Sequence, residues 1–283
     1  MNIDIKSAEN KLINVFNNID DVCFYNSQKV IKAFAICLAI FIIVSIINTV
    51  VYFASSIFSV NNDVSINENY SSEIENIKID MRTSNLVIKK GDILNVTADN
   101  VSKRFKVNEE SETLIIKEKS VNVFRNKSIS KVIITIPSNL KDLSIDIGAG
   151  KLEISDINTS RFNLDQGAGK VTITNLISGK TDIDGGAGEL NITSSALEDL
   201  DLNMGAGRFY FSGHIVGNSK IDQGVGELIL DLYREDYTIK ASKGLGSITI
   251  NGESYSKDVT VGEGINDIKI DGGIGSIIIN TNK

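Results

Sequence analysis

The sequence is poor in the residues that punctuate or cross-link a chain. Of 283 residues one is proline, one is histidine, two are cysteine and none is tryptophan. A single proline excludes collagen and proline-rich linkers, so the 23 glycines need another explanation. Cys23 lies in the N-terminal tail and Cys37 in an apolar run. Residues 61–283 therefore hold no disulfide and no thiolate metal site, and their stability must come from burial and backbone pairing. One histidine and no cysteine in that region leave little support for a Ser–His or Cys–His nucleophile pair.

Positive charge is also short. The net charge is −7, yet residues 1–60 hold four lysines and four acidic groups, so the whole deficit belongs to residues 61–283. An acidic body gains nothing from counterion release on nucleic acid, and anionic lipid or wall polymer repels it.

Charge is missing altogether from Ala33 to Phe58, a run of 26 residues. A helix needs about 20 apolar residues to cross the hydrocarbon core, so this stretch is expected to span a bilayer with some tilt. The preceding 32 residues are too long for the n-region of a signal peptide. Lys29 and Lys32 precede the run, and Asp63 and Glu68 follow it. The positive-inside rule then puts the N-terminus in the cytoplasm and residues 61–283 outside.

What is present beyond the run is a period. Gly-x-Gly triplets begin at Gly148, Gly167, Gly186, Gly205, Gly224, Gly244 and Gly273. The first four steps are 19 residues, the fifth 20 and the last 29, which leaves room for one excursion between Asn251 and Asn266. A fixed period of this size marks a solenoid. Stacking the copies aligns Ile145, Leu164, Ile183, Leu202 and Ile221 before the triplet, and Leu152, Val171, Leu190, Phe209 and Leu228 after it. Apolar residues alternate on both sides, which is strand periodicity, and the phase shifts across each triplet. Glycines supply the corner that this shift requires, with the small central residue expected inside the bend. Gly186 and Gly188 should not tolerate a side chain, whereas exposed Gly217 should suffer less. Polar turns such as Ser155-Asp156 and Ser194-Ser195 complete the coil.

The spacing recurs upstream at Ile77, Ile79, Met81, Leu86 and Ile88, with Arg82-Thr83-Ser84 in place of the glycines. On these residues, on the Ile134-Thr135-Ile136-Pro137 step and on the later rungs, the chain resembles a bacterial family of β-strand-repeat proteins of unknown function, named for adhesins. The resemblance covers roughly residues 74–280. It implies an envelope-exposed β-helix behind a membrane helix, sometimes linked to cell-envelope stress systems, and brings no catalytic residues with it.

The remaining candidates have structural readings. Asp146, Asp165, Asp184, Asn203, Asp222 and Asp271 stand two residues before a triplet. Such a column could bind Ca²⁺, but turn N–H groups are the simpler partners, and Asn203 interrupts the charge. Lys170, Glu189, Arg208 and Glu227 alternate in sign after the triplets and should pair between coils. His214 falls in the column of Ile157, Leu176, Ser195 and Tyr233, as a turn residue. The glycines are no phosphate loop, because no helix follows them.

The expected architecture is thus one transmembrane helix followed by an all-β parallel β-helix of 19-residue coils with Gly-x-Gly corners. Residues 1–32 form a cytoplasmic tail, 33–58 the helix, 59–73 a linker, 74–140 irregular β-rich coils and 141–283 the regular repeats. The expected function is a non-catalytic binding or scaffold module of the cell surface, with no cofactor, metal or catalytic residue. Its expected partners are the bilayer, through residues 33–58, and an envelope protein or wall component. The alternatives are an accessory or sensory component of an envelope-stress system, and a self-assembling filament built through the apolar Ile277-Ile278-Ile279 strand.

Overall fold

A computed structural model describes Ile43, Ser45, Ile46 and residues 64–118, 130–137, 139–234 and 236–281. Its elements are all strands. They are β1 (Val64–Asn69), β2 (Asn76–Lys90), β3 (Asn95–Val101), β4 (Phe105–Glu110), β5 (Thr113–Glu118) and β6 (Lys131–Ile136). Then come β7 (Leu140–Val216), β8 (Asn218–Leu232), β9 (Tyr237–Ile250), β10 (Glu253–Tyr255), β11 (Val259–Val261) and β12 (Asn266–Thr281). β7 is 77 residues of extended chain wound into consecutive 19-residue coils.

The winding follows from the alternation. Residues such as Leu143, Ile145, Leu152 and Ile154, and their copies in later coils, point inward and are almost wholly buried in one continuous core. Besides a step between Thr159 and Phe162 and their copies, each coil changes direction at two places. One is the triplet, where the second glycine takes φ between 134° and 147° in the coils of β7 and β8. A Cβ on Gly188 would lie 1.9 Å from the carbonyl oxygen of Gly169, one rung away, so both backbone angle and space demand glycine there. The first glycine of each triplet has no positive φ, but Gly186 faces the Gly167 carbonyl oxygen with only 2.3 Å for a Cβ. The other place is a left-handed turn residue, Asp156, Asn175 or Ser194, with φ of 59°, 56° and 53°. Short polar side chains tolerate that conformation, and Asn175 donates to Asp156 at 2.7 Å across the rungs.

The central triplet residue does not sit inside the bend as expected. Ala149, Ala168, Ala187 and Ala206 are half-buried on the outer edge, followed along the stack by Val225, Ile274 and Leu245. Gly217 is no permissive site either. It has φ 80°, and a Cβ there would meet the Asp199 carboxylate at 2.3 Å.

The expected fold, a transmembrane helix followed by a parallel β-helix, needs correction. The described chain is nearly all β, and none of its helical residues forms a span long and apolar enough to cross a membrane. Of the stretch 33–58 only Ile43, Ser45 and Ile46 are described; the rest lies outside the described residues. Nor is the stack purely parallel or wound in chain order. β2 pairs in parallel with the first coil of β7 on one side and with β5 and β6 on the other. Antiparallel β4 covers β5, while β3 covers β6 and is covered in turn by β1.

At the opposite end β12 inserts between β8 and β9, in register with both. The Ile277-Ile278-Ile279 strand is therefore an interior rung, not the free edge the filament reading required. The excursion after Asn251 supplies β10 and β11, which pair antiparallel with the two halves of β9. The physical reason is the same at both ends: an end rung of a parallel stack presents unpaired N–H and C=O groups, and a strand folded back on it satisfies them.

Candidate functional site

Parallel register carries every column of the repeat straight along the stack. Asp80 faces Asp146, Asn203 faces Asp222, and Asp271 faces Asp222 on one side and Ser242 on the other. The inward column beside it reads Ile147, Gln166, Gly185, Met204, Gln223 and Gly272. Because glycine replaces a side chain at Gly185, where the nearest atom to a Cβ is Met204 Cγ at 3.6 Å, the surface opens there. The result is an open groove of about 720 Å³, running over the rungs of Asp165, Asp184, Asn203, Asp222 and Asp271.

Its electrostatics differ from end to end. Burial, together with the neighbouring Asp165 and Asp80, raises the Asp146 carboxyl above its ordinary value, against the pull of Arg82. Asp182 is raised likewise, by burial and by Asp201 and Asp184. At the other end Lys220 pairs with Asp222, and Lys269 with Asp271 at 2.7 Å. Hydrogen bonds from Lys269 and Ser242 hold Asp271 below the usual carboxylate range. Among the described residues no ion pair reaches Asp146, Asp165 or Asp184. The groove is thus an anion at one end and a neutralised surface at the other.

Turn capping does not explain the aspartates. Among the described residues no backbone N–H donates to this column; the donors are side chains along the stack, such as Asn203 Nδ2 to Asp184 at 3.1 Å. No group of three metal-ligating side chains is set for an ion among the described residues. On the floor, Gln223 is 5 % exposed and donates Nε2 to the Gly207 carbonyl at 3.0 Å, while its Oε1 is buried without a partner among the described residues.

The charges after the triplets pair between coils, Lys170 with Glu189 at 3.1 Å and Arg208 with Glu227 at 3.0 Å, while Lys151 turns to Glu153 in its own coil. His214 stands edge-on to Tyr233 with ring centroids 5.4 Å apart, in a turn away from the groove, and its Nδ1 is buried without a partner among the described residues. Sequence reasoning missed Asp231. It is buried and accepts from Tyr210 Oη at 2.9 Å and from Asn280 Nδ2 at 2.7 Å. The available signal was an acid in the column otherwise held by Ser155, Thr174, Thr193 and Ser212.

The chain is similar to several solved structures. One is a candidate cell adhesion protein from Clostridium sporogenes, 18% identical, with 77% of this chain and 99% of that one covered at a TM-score of 0.41. A candidate adhesin from Bacteroides fragilis is 16% identical over 77% and 97% of the two chains, with a TM-score of 0.43. A candidate lipid-binding protein from Parabacteroides distasonis is 16% identical over 78% and 98%, with a TM-score of 0.37. Likeness at this level carries no argument about ligand or activity. No curated protein matches the chain. Residues 59–270 match the profile of one family, and the chain belongs to it: Toastrack DUF4097.

Proposed function

We propose that the chain is a membrane-anchored, extracytoplasmic binding or scaffold module of the cell surface, without chemistry of its own. The observation that carries this reading is the groove on the aspartate column, an open surface repeated rung after rung on a stiff support. Parallel ladders fix each groove residue to its neighbours on both sides, so the surface is preorganised for an extended partner. Anchoring is supported by the uncharged run 33–58, and the outward orientation by Lys29 and Lys32 against Asp63 and Glu68. The acidic body argues for an envelope protein or an uncharged or cationic wall component as partner, since anionic polymers are repelled.

Protease added to intact cells tests the placement. It should digest residues beyond 61 and spare the N-terminal tail. Digestion only after permeabilisation would reverse the orientation and remove the surface reading. Crosslinking in native membranes, followed by purification of the chain, identifies the partner.

A further inference from the structure

Resting on the reading of the chain as membrane-anchored, we infer that the first end of the stack docks on anionic phospholipid headgroups through Lys103, Lys106 and Lys117. Charge is unevenly spread along the stack. Residues 74–140 hold twelve Lys and Arg against eight Asp and Glu, whereas residues 141–283 hold thirteen against twenty-one. The two sets of cations also differ in their partners. Among the described residues nine ion pairs draw their cation from residues 141–283, and no lysine of residues 74–140 joins one. Lys103, Lys106 and Lys117 are exposed. The hairpin of β4 and β5 puts Lys106 directly opposite Lys117, a like-charge pair that destabilises the ladder unless an outside anion offsets it. The neighbouring Glu118 does not supply that anion, because it is buried and accepts from the Ser102 N–H at 2.8 Å. Asp80 lies in register with Lys117 one rung inward, and Glu109 and Glu110 stand at the turn end of the hairpin.

The place where the chain enters the stack selects the anion. β1 begins at Val64, which pairs with Val101, two residues before Lys103. Six residues carry the chain from Phe58 to Val64, and they span at most about 22 Å when fully extended. A bilayer that holds residues 33–58 is therefore always within reach of the lysine cluster. That tether matters, because an anionic surface attracts a charge only within about a Debye length, roughly 8 Å at physiological salt. Lysines suit such a surface, since mobile point charges take a fluid headgroup layer without a shaped pocket. The same surface repels the acidic coils of residues 141–283. Attraction at one end and repulsion along the rest stand the stack on its first end. A wall polymer carries the same phosphate chemistry but has no such tether.

The experiment is footprinting of the full chain in vesicles with an amine-reactive reagent added outside, read by mass spectrometry. In phosphatidylcholine vesicles with added phosphatidylglycerol, Lys103, Lys106 and Lys117 should react about tenfold more slowly than in pure phosphatidylcholine, and high salt should abolish the difference. Lys257, exposed in the excursion at the far end of the stack, should react alike in both. Lys106→Gln should bring Lys103 and Lys117 to within about threefold of the phosphatidylcholine rate, since one lysine near an anionic surface contributes about fivefold in binding. That change relieves the opposition of Lys106 and Lys117, and circular dichroism confirms that the variant is folded. Equal rates in the two vesicles, equal protection of Lys257, or protection untouched by Lys106→Gln would overturn the inference. Soluble polyphosphate that protects as well as phosphatidylglycerol does, in phosphatidylcholine vesicles, would overturn it in favour of a wall polymer. Flotation with pure phosphatidylcholine vesicles reads the anchor separately. A chain that floats without lipid-dependent protection leaves the anchor standing and removes the docking; one that does not float removes both.

Discussion

Asn203 donates its side-chain amide to the carboxylate of Asp184, one rung away, at 3.1 Å. That single contact interrupts a column in which Asp146 otherwise faces Asp80 and Asp165 and is raised by both, after burial. A carboxyl raised in the folded state makes the native protein bind its proton more tightly than the unfolded chain does. The penalty is present at neutral pH and is relieved as pH falls through the raised value toward the ordinary one. Asp146→Asn should therefore stabilise the solenoid at pH 7 by up to about 0.5 kcal/mol, a small effect because the group is exposed. The gain should shrink near pH 4. Denaturant melts at the two pH values check it, and a loss at pH 7 would mean that the column is held by something other than like-charge repulsion.

Glu189 has the opposite sign. Burial works to raise it, but Asn191 and Lys170 outweigh burial and leave it lowered. Its contribution is present above the ordinary glutamate value and is lost as pH falls through the depressed one. Glu189→Gln should cost about 0.5 kcal/mol at pH 7 and less near pH 4, read in the same melts. A cost that grows on acidification would refute the pairing.

The glycine corners should rank by geometry. Gly188→Ala faces both a φ of 147° and a carbonyl oxygen 1.9 Å from its Cβ, so a loss of roughly 3 kcal/mol or more is expected. Gly252, with φ 81° and nothing within 4 Å, should lose only about 1 kcal/mol on the same change. Thermal melts of the two variants decide the matter; equal losses would show that the rungs relax around the added carbon.

Asp231→Ala should remove the acceptor shared by two half-buried donors, Tyr210 Oη and Asn280 Nδ2. The expected loss is about 1–3 kcal/mol, measured by denaturant unfolding. A neutral outcome would mean that water reaches both donors.

Replacing residues 253–262 by a short Gly-Ser linker should bare the edge of β9 now covered by β10 and β11. Sedimentation should show that this variant associates with rising concentration more strongly than the parent. Unchanged sedimentation would mean that the cap is dispensable for edge protection.

Much of the coil was legible because burial imposes a fixed alternation. Leu143, Ile145, Leu152 and Ile154 had to face one way, and the triplet lies where the phase shifts between Ile145 and Leu152. The order of the rungs was not legible. Every coil carries the same columns, so β12 satisfies β8 or β9 equally well, and composition cannot say which neighbour is taken. The 29-residue step marked where the excursion lay but not that it folds back. The groove was half visible: the aspartates stood in plain periodicity, whereas the missing side chain at Gly185 and the stranded Gln223 Oε1 depend on what adjacent rungs contribute.

The insertion of β12 between β8 and β9 also sets an order of events during synthesis. β9 leaves the ribosome before β12, yet its proper neighbour does not exist until residues 266–281 have been made. In that interval β8 offers β9 a ladder with matching columns, and pairing there gives a stack one rung short. Completing the fold then requires this early pairing to open and admit the later strand. Maturation of this end therefore waits on residues 266–281, and any early β8–β9 pairing would have to open before it finishes.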